Sequence, residues 1–170
     1  METAIKFSRA HTGRAGLLYA TGAFHGLTCG ALSLMGNPFW REGFGPLLPG
    51  AEEIPFGDLP ALQEKLASRR FAALILEPIQ AEAGIRIPFP EYLAMAQALC
   101  RKHGSVFVLD EVQTGLGRTG KFLVNQFVHA RPRRSLGRNQ LALVSRFRSS
   151  QAFAATSERT SESKRTLATL

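Results

Sequence analysis

Asp110 and Glu111 lie between an apolar, β-branched run, Val106-Phe107-Val108-Leu109, and a glycine-punctuated loop, Thr114-Gly115-Leu116-Gly117-Arg118-Thr119-Gly120. A run of this kind suits a strand buried on both faces, as in a parallel sheet, and open parallel sheets meet their ligands beyond the carboxyl ends of their strands. Asp110 is therefore placed where a ligand would be met. Two further groups hold comparable positions: Phe24-His25-Gly26, and Glu77-Pro78-Ile79-Gln80-Ala81-Glu82. Taken singly each has a plainer reading, with His25 as a satisfied turn histidine, Glu77 and Asp110 as capping or solvent-facing carboxylates, and Phe24 as core filling. A parallel sheet would bring all three groups to one edge.

The elements that must position them alternate between strand and helix. Residues 2–11 favour a helix with Ala4, Ile5 and Phe7 on its apolar side, ended by Thr12-Gly13. Gly16 to Ala20 reads as a short buried strand, followed by a glycine turn and a small-residue helix from Leu27 to about Leu34. A short strand at Ile54 comes next, then a helix from Asp58, its N-cap, to about Ser68, and a strong strand Phe71 to Glu77 closed by Pro78. A helix from Pro90 to about His103 stops at Gly104 and leads into the strand 105–110. The alternation predicts an α/β domain with a mainly parallel sheet flanked by helices. Residues 35–51, with Gly36, Gly43, Gly45, Gly50, Pro38, Pro46 and Pro49, predict a long loop. Phe39, Trp40 and Phe44 in it are expected to pack on the domain or on a second subunit.

The chain has 170 residues and a formal net charge of +8, which would suggest a nucleic-acid or membrane-surface partner if the basic residues were spread over the fold. They are not. Residues 1–123 carry 12 Lys+Arg against 11 Asp+Glu, whereas residues 124–170 carry 9 against 2. The second segment also holds 7 of the 11 serines and shows no sustained period of 2 or 3.6, so no packed structure is expected there. Cys29 and Cys100 read as small core residues, which suits a reducing compartment, and they offer no metal spacing. No apolar run approaches the length of a membrane span or a signal peptide, and the expectation is a cytoplasmic protein without membrane contact.

The segments AFHG (23–26), LEPIQAEAG (76–84) and VLDEVQTGLGRTG (108–120), each preceded by a strand, together resemble the class III aminotransferases, the group that includes the ornithine, acetylornithine and 4-aminobutyrate enzymes. The resemblance runs from residue 2 to about 123. It implies the partial large domain of a fold-type I transferase that uses pyridoxal phosphate, carrying an amino group from an amino acid or ω-amine to a 2-oxo acid. It implies that Asp110 pairs with the pyridine nitrogen, that Phe24 and Val112 clamp the two ring faces, and that Gln113 hydrogen-bonds the phenolic oxygen. His25 belongs to the same turn. Glu82 matches a substrate-side glutamate that pairs with an arginine in some members, and QAEAG leans toward ornithine or another ω-amine donor. Glu77 is read as a structural carboxylate near Gln113, and Arg118 and Thr119 as structural or subunit-contact residues. A homodimer is implied for the intact family member.

The resemblance also implies a Schiff-base lysine at a later strand end, some tens of residues past the GRTG turn, where one amine serves as nucleophile and base. Lys121 comes too soon and Lys164 lacks an apolar strand before it, so no catalytic lysine is assigned. The phosphate-binding turn would fall before Met1. Residues 1–123 are therefore read as a partial cofactor-binding domain, and 124–170 as a basic Ser/Arg-rich tail, disordered or out of frame. The isolated chain is expected to be catalytically incompetent. Two rival readings remain: a nucleic-acid-binding protein working through RPRRSLGR (131–138), and a non-catalytic subunit docking on a full-length relative through the 35–51 loop.

Overall fold

The computed structural model describes residues 1–124 and the backbone of a strand at 141–144. Five strands form one sheet: β1 (Gly16–Ala20), β2 (Ala51–Ile54), β3 (Phe71–Leu76), β4 (Val106–Asp110) and β5 (Leu141–Val144). Their order is β2-β1-β3-β4-β5 and every pairing is parallel. The helices are α1 (Glu2–Thr12), α2 (Cys29–Leu32), α3 (Leu59–Ala67) and α4 (Tyr92–His103), with a 3-10 turn at Pro38–Trp40 inside the long loop.

Strand periodicity assigns the two faces of the sheet. Leu18, Ala20, Leu74, Leu76, Phe107 and Leu109 point to one side, where they meet Leu62 and Leu66 of α3 and Leu93, Ala96 and Cys100 of α4. Leu17, Tyr19, Ala73, Ile75, Val106 and Val108 point to the other, against Ala4 and Ile5 of α1 and Leu34 beyond α2. With both faces covered, all six residues of β3 are buried, which is why its sequence is a continuous apolar run. The expected three-layer α/β arrangement is the one observed.

The ends of the helices follow their local chemistry. Asp58 caps α3 by accepting from the Ala61 N–H at 2.9 Å, and Gly13 and Gly104 end α1 and α4 in the left-handed conformation at φ 68° and 70°. At the amino edge of the sheet the Arg14 guanidinium donates to the carbonyls of Phe71 at 3.3 Å and His103 at 2.9 Å, joining the starts of β1 and β3 to the end of α4. Glu2 ties α1 to α2: its Oε1 accepts from the Thr28 hydroxyl and from the N–H groups of Gly30 (2.8 Å) and Ala31 (3.0 Å). Burial opposes its ionisation, but these hydrogen bonds prevail and hold its carboxyl below the ordinary range.

Three expectations need correction. Phe7 is 45% exposed and Ser8 takes its place inside, because Ala4, Ile5 and Ser8 share the face that looks at the sheet. Cys29 is exposed and only Cys100 is core; α2 is a four-residue helix, and its first residue lies on the outer side. Finally, Leu141–Val144 forms a strand in the segment expected to lack packed structure, since the edge of β4 offers a ladder that a four-residue apolar run suffices to fill. Of the loop aromatics, Trp40 is half-buried and meets the Phe39 ring edge-on at 5.4 Å, while Phe39 and Phe44 stay exposed at 70% and 67%. The Arg-rich stretch 131–138 lies outside the described residues.

Gly36 locks the loop to the turn after β1. Its N–H donates to the Ala23 carbonyl at 2.9 Å, and a Cβ at this position would fall 2.2 Å from the Gly22 nitrogen and 2.5 Å from that of Ala23. Both neighbours are backbone and neither can swing aside. Gly36→Ala is expected to lower stability by about 2–3 kcal/mol, the range of an overpacked interior position; urea unfolding checks this, and a variant within about 0.5 kcal/mol of the parent would show that the turn yields.

Candidate functional site

The strand order reverses between β1 and β3: the chain goes from β1 outward to β2 on one side and resumes at β3 on the other. In open α/β sheets the crevice beyond such a reversal is where ligands bind. The turn 21–26 leaves β1 there, Glu77 follows β3, and Asp110 ends β4, the next strand over.

A cleft of about 540 Å³ opens at this edge, lined by Phe24, His25, Gly26, Glu77, Ile79, Asp110, Val112, Gln113 and Arg118. Its volume is in the range of small-molecule sites. At its base Asp110 is 5% and His25 6% exposed, and His25 Nδ1 lies 2.9 Å from Asp110 Oδ2. The second carboxylate oxygen, Oδ1, accepts from the Val112 N–H at 3.2 Å. Both oxygens are thus engaged, and the carboxylate is fixed in direction. His25 Nε2 is buried without a partner, as is Glu77 Oε1. Buried polar atoms left bare in a cleft are what a polar ligand would satisfy.

Glu77 is 4% exposed, and its Oε2 accepts from the Phe24 N–H at 3.0 Å. Its partner is therefore the turn after β1 rather than Gln113. Burial pushes its carboxyl up to about 7; the Phe24 N–H and His25 oppose the rise, and Asp110 and Glu82 add to it. The Phe24 ring packs edge-on against Trp40, with centroids 5.5 Å apart. Gln80 and Arg86 pair as an antiparallel bridge, closing a small loop whose Glu82 is exposed and receives the Gln113 side-chain amide at 3.4 Å.

All six residues singled out from the sequence stand at this edge. Phe24, His25, Asp110, Val112 and Gln113 line the cleft, and Glu82 reaches it through Gln113. Sequence reasoning missed Glu111, which is fully buried and turns its carboxylate away: Oε2 accepts from the Thr114 hydroxyl at 3.1 Å and the Val124 N–H at 2.8 Å, holding the glycine loop against the sheet. The only sequence signal was its place beside Asp110, and strand alternation, which sends neighbours to opposite sides, would have separated the two.

Comparison with known proteins bears directly on this arrangement. A family profile described as aminotransferase class-III matches residues 1–132. The chain belongs to the class III aminotransferase family. Among curated relatives, aminotransferase PigE of Serratia sp. (strain ATCC 39006) is 43% identical over 132 residues, covering 78% of this chain and 16% of the relative. The acetylornithine aminotransferase of Methanopyrus kandleri is 47% identical over 122 residues, covering 72% and 31%. Among solved structures, the ornithine aminotransferase of Toxoplasma gondii superposes with a TM-score of 0.73 at 32% identity, covering 84% of this chain and 34% of that one. This class III aminotransferase chain spans about a third or less of the length of the relatives it matches. Its sheet is a partial large domain, as the resemblance implied. The family's cofactor is pyridoxal phosphate.

The cleft fits the ring of that cofactor: a directed carboxylate at its base, an aromatic face at its wall and bare polar atoms between them. No lysine lines it among the described residues. Among the same residues no cluster suits a metal ion, and no helix is long and apolar enough to cross a membrane.

The Glu77 carboxyl gives the fold a defined pH response. Its folded-state value, about 7, lies above the ordinary 4.5, so the folded chain holds this proton more tightly than the unfolded chain does. Its contribution is fully present below pH 4.5 and lost as pH rises through 7. Glu77→Gln should therefore gain stability relative to the parent between those values, by up to about 3 kcal/mol, and level off above. Urea midpoints of both chains from pH 4 to 8 test this; parallel curves would contradict it.

Proposed function

We propose that this chain is the cofactor-ring portion of an aminotransferase that moves an amino group from an amino acid or ω-amine to a 2-oxo acid through pyridoxal phosphate. The observation that carries the reading is the Asp110 carboxylate, held in direction by His25 and Val112 at the base of the cleft. When bound, the cofactor supplies a protonated pyridine ring able to accept the electrons left when a substrate loses its α-proton. Asp110 would face that ring nitrogen, and its two oxygens, already held by His25 and the Val112 N–H, would meet it without reorganising. Phe24 covers one ring face and Val112 the other, excluding water and fixing the plane. Gln113, whose side-chain amide makes only a 3.4 Å contact with Glu82, would be the group to hydrogen-bond the ring's phenolic oxygen. Glu82, exposed at the mouth, then faces the substrate. The QAEAG segment that carries it supports ornithine or a similar ω-amine as donor.

The covalent step needs a lysine, which the cleft does not contain among the described residues. We therefore infer that the described residues supply the part of the site that holds the cofactor ring and do not turn over unaided. Residues 1–123 constitute the cofactor-binding part in this reading, and 124–170 stand apart in charge. The exposed Phe39 and Phe44 support the long loop as the place where a second subunit of a homodimer covers the site.

The reading is tested by titrating the chain with pyridoxal phosphate and following the cofactor absorbance. Saturable binding is expected, weakened roughly tenfold in each of Asp110→Asn and Phe24→Ala, with no transamination of ornithine and a 2-oxo acid. Equal binding by all three chains would assign the cofactor to surface lysines and overturn it.

A further inference from the structure

The Phe24 ring can cover a ligand only if the turn that bears it is held in place. Phe24 sits in a turn, and turns leaving a strand are the parts of an α/β fold free to move. Two contacts restrain this one. On the ring side, Phe24 meets the edge of Trp40 at 5.5 Å. On the backbone side, its N–H is held at 3.0 Å by Glu77, which comes from a different strand 53 residues later. That hydrogen bond spans the reversal between β1 and β3, the one place in the sheet where the cleft could open by separation of its two walls.

The type of residue doing this is informative. A buried neutral amide or hydroxyl could also accept an N–H, more weakly but without burying an ionisable group. Glu77, which helps line the cleft, instead brings a carboxylate that is 4% exposed, has one oxygen engaged and leaves the other, Oε1, buried without a partner. The groups around it are mixed in sign. His25 faces it from the turn after β1, Asp110 from the end of β4 and Glu82 from the loop after β3, and Arg118 lines the same cleft. A hydrogen bond to an ionised acceptor is roughly twice as strong as one to a neutral acceptor, so the grip on the turn depends on the charge at Glu77.

We propose that Glu77 is the positioning residue for the cofactor-stacking ring: Oε2 holds the Phe24 backbone while the bare Oε1 gains and loses a proton, so that the ring is held firmly when the carboxyl is ionised and loosely when it is not. No covalent bond is made or broken, and the proton is exchanged with water at the cleft. Glu77 touches the ring only through the chain that bears it. The inference rests on the proposed cofactor reading for its consequence, and on the hydrogen bond alone for its mechanism. The elevated carboxyl value, about 7, places the change in the neutral range.

The chain reports on this turn by itself, because Trp40 is its single tryptophan. The experiment records Trp40 emission of the parent, Glu77→Gln and Glu77→Ala from pH 5 to 9. The same samples are titrated with pyridoxine 5′-phosphate, an analogue without the aldehyde that would react with surface lysines. The parent is expected to show an emission change with a midpoint near 7, together with tighter analogue binding on its alkaline side. Glu77→Gln should abolish the pH step while keeping the analogue affinity within about threefold of the parent's acidic-side value, as a neutral acceptor replaces the acid. Glu77→Ala should lose roughly tenfold in affinity and shift the emission at every pH. A pH step that persists in Glu77→Gln would assign the titration to another group and overturn the proposal. An alanine variant matching the parent in emission and affinity would overturn it too. Should Glu77→Ala fail to fold by far-ultraviolet circular dichroism, the presence of the step in the parent and its absence in the glutamine variant decide the matter. Failure of the cofactor reading looks different: the analogue then binds none of the chains, while the emission step still reports on Glu77.

Discussion

Everything assembled at the cleft depends on β1, β3 and β4 running in the same direction. Parallel strands whose registers pair Leu17 with Ala73 and Ala73 with Val106 must end near one another, so Phe24, Glu77 and Asp110 are delivered to one rim although 86 residues of sequence separate the first from the last. Direction alone does not suffice. The order of strands puts the reversal between β1 and β3, and only there do outgoing turns diverge enough to leave a cleft. A parallel sheet in turn requires cover on both faces, which α1 with Leu34 beyond α2, and α3 with α4, provide. The helices far from the cleft are thus the condition for its existence.

Much of this was legible in the sequence because the signals were strong and local. The Gly16–Ala20 strand and the Asp58 cap stand where they were read, since a β-branched or apolar run bounded by glycine and an aspartate ahead of a helix have few other solutions. The site was legible for a different reason: the motif groups follow strands, and the sheet rule converts that into proximity. What escaped the sequence were contacts that depend on three-dimensional facing. Nothing local distinguishes Glu77, which reaches across to Phe24, from Glu111, which turns back to Val124. Phe7 and Cys29 were misread because residue type suggested burial, whereas helix phase and helix length decided it. The strand at 141–144 was invisible to periodicity, being too short to show any, and became a strand only because β4 had an open edge.

The cleft gathers like charges rather than dispersing them. Glu77 and Asp110 are buried within it and Glu82 stands at its mouth, with His25 and Arg118 as the groups of opposite tendency. Burial, with Asp110 and Glu82 adding to it, raises the Glu77 carboxyl, while His25 and the Val112 N–H hold the Asp110 carboxylate in direction.

The Arg14 guanidinium has a mechanical meaning of its own. By grasping the carbonyls of Phe71 and His103, it fastens β1, β3 and α4 together at the edge of the sheet opposite the cleft. Ser105, fully buried, adds its hydroxyl to the same Phe71 carbonyl at 2.9 Å. The two margins of the sheet are therefore closed by different means: a single guanidinium and a hydroxyl converge on carbonyls at one, and at the other the turns are tied by carboxylates, Glu77 to the Phe24 N–H and Asp110 to His25. Cationic and neutral donors thus close the end away from the ligand, and the acidic acceptors are kept for the end that meets it.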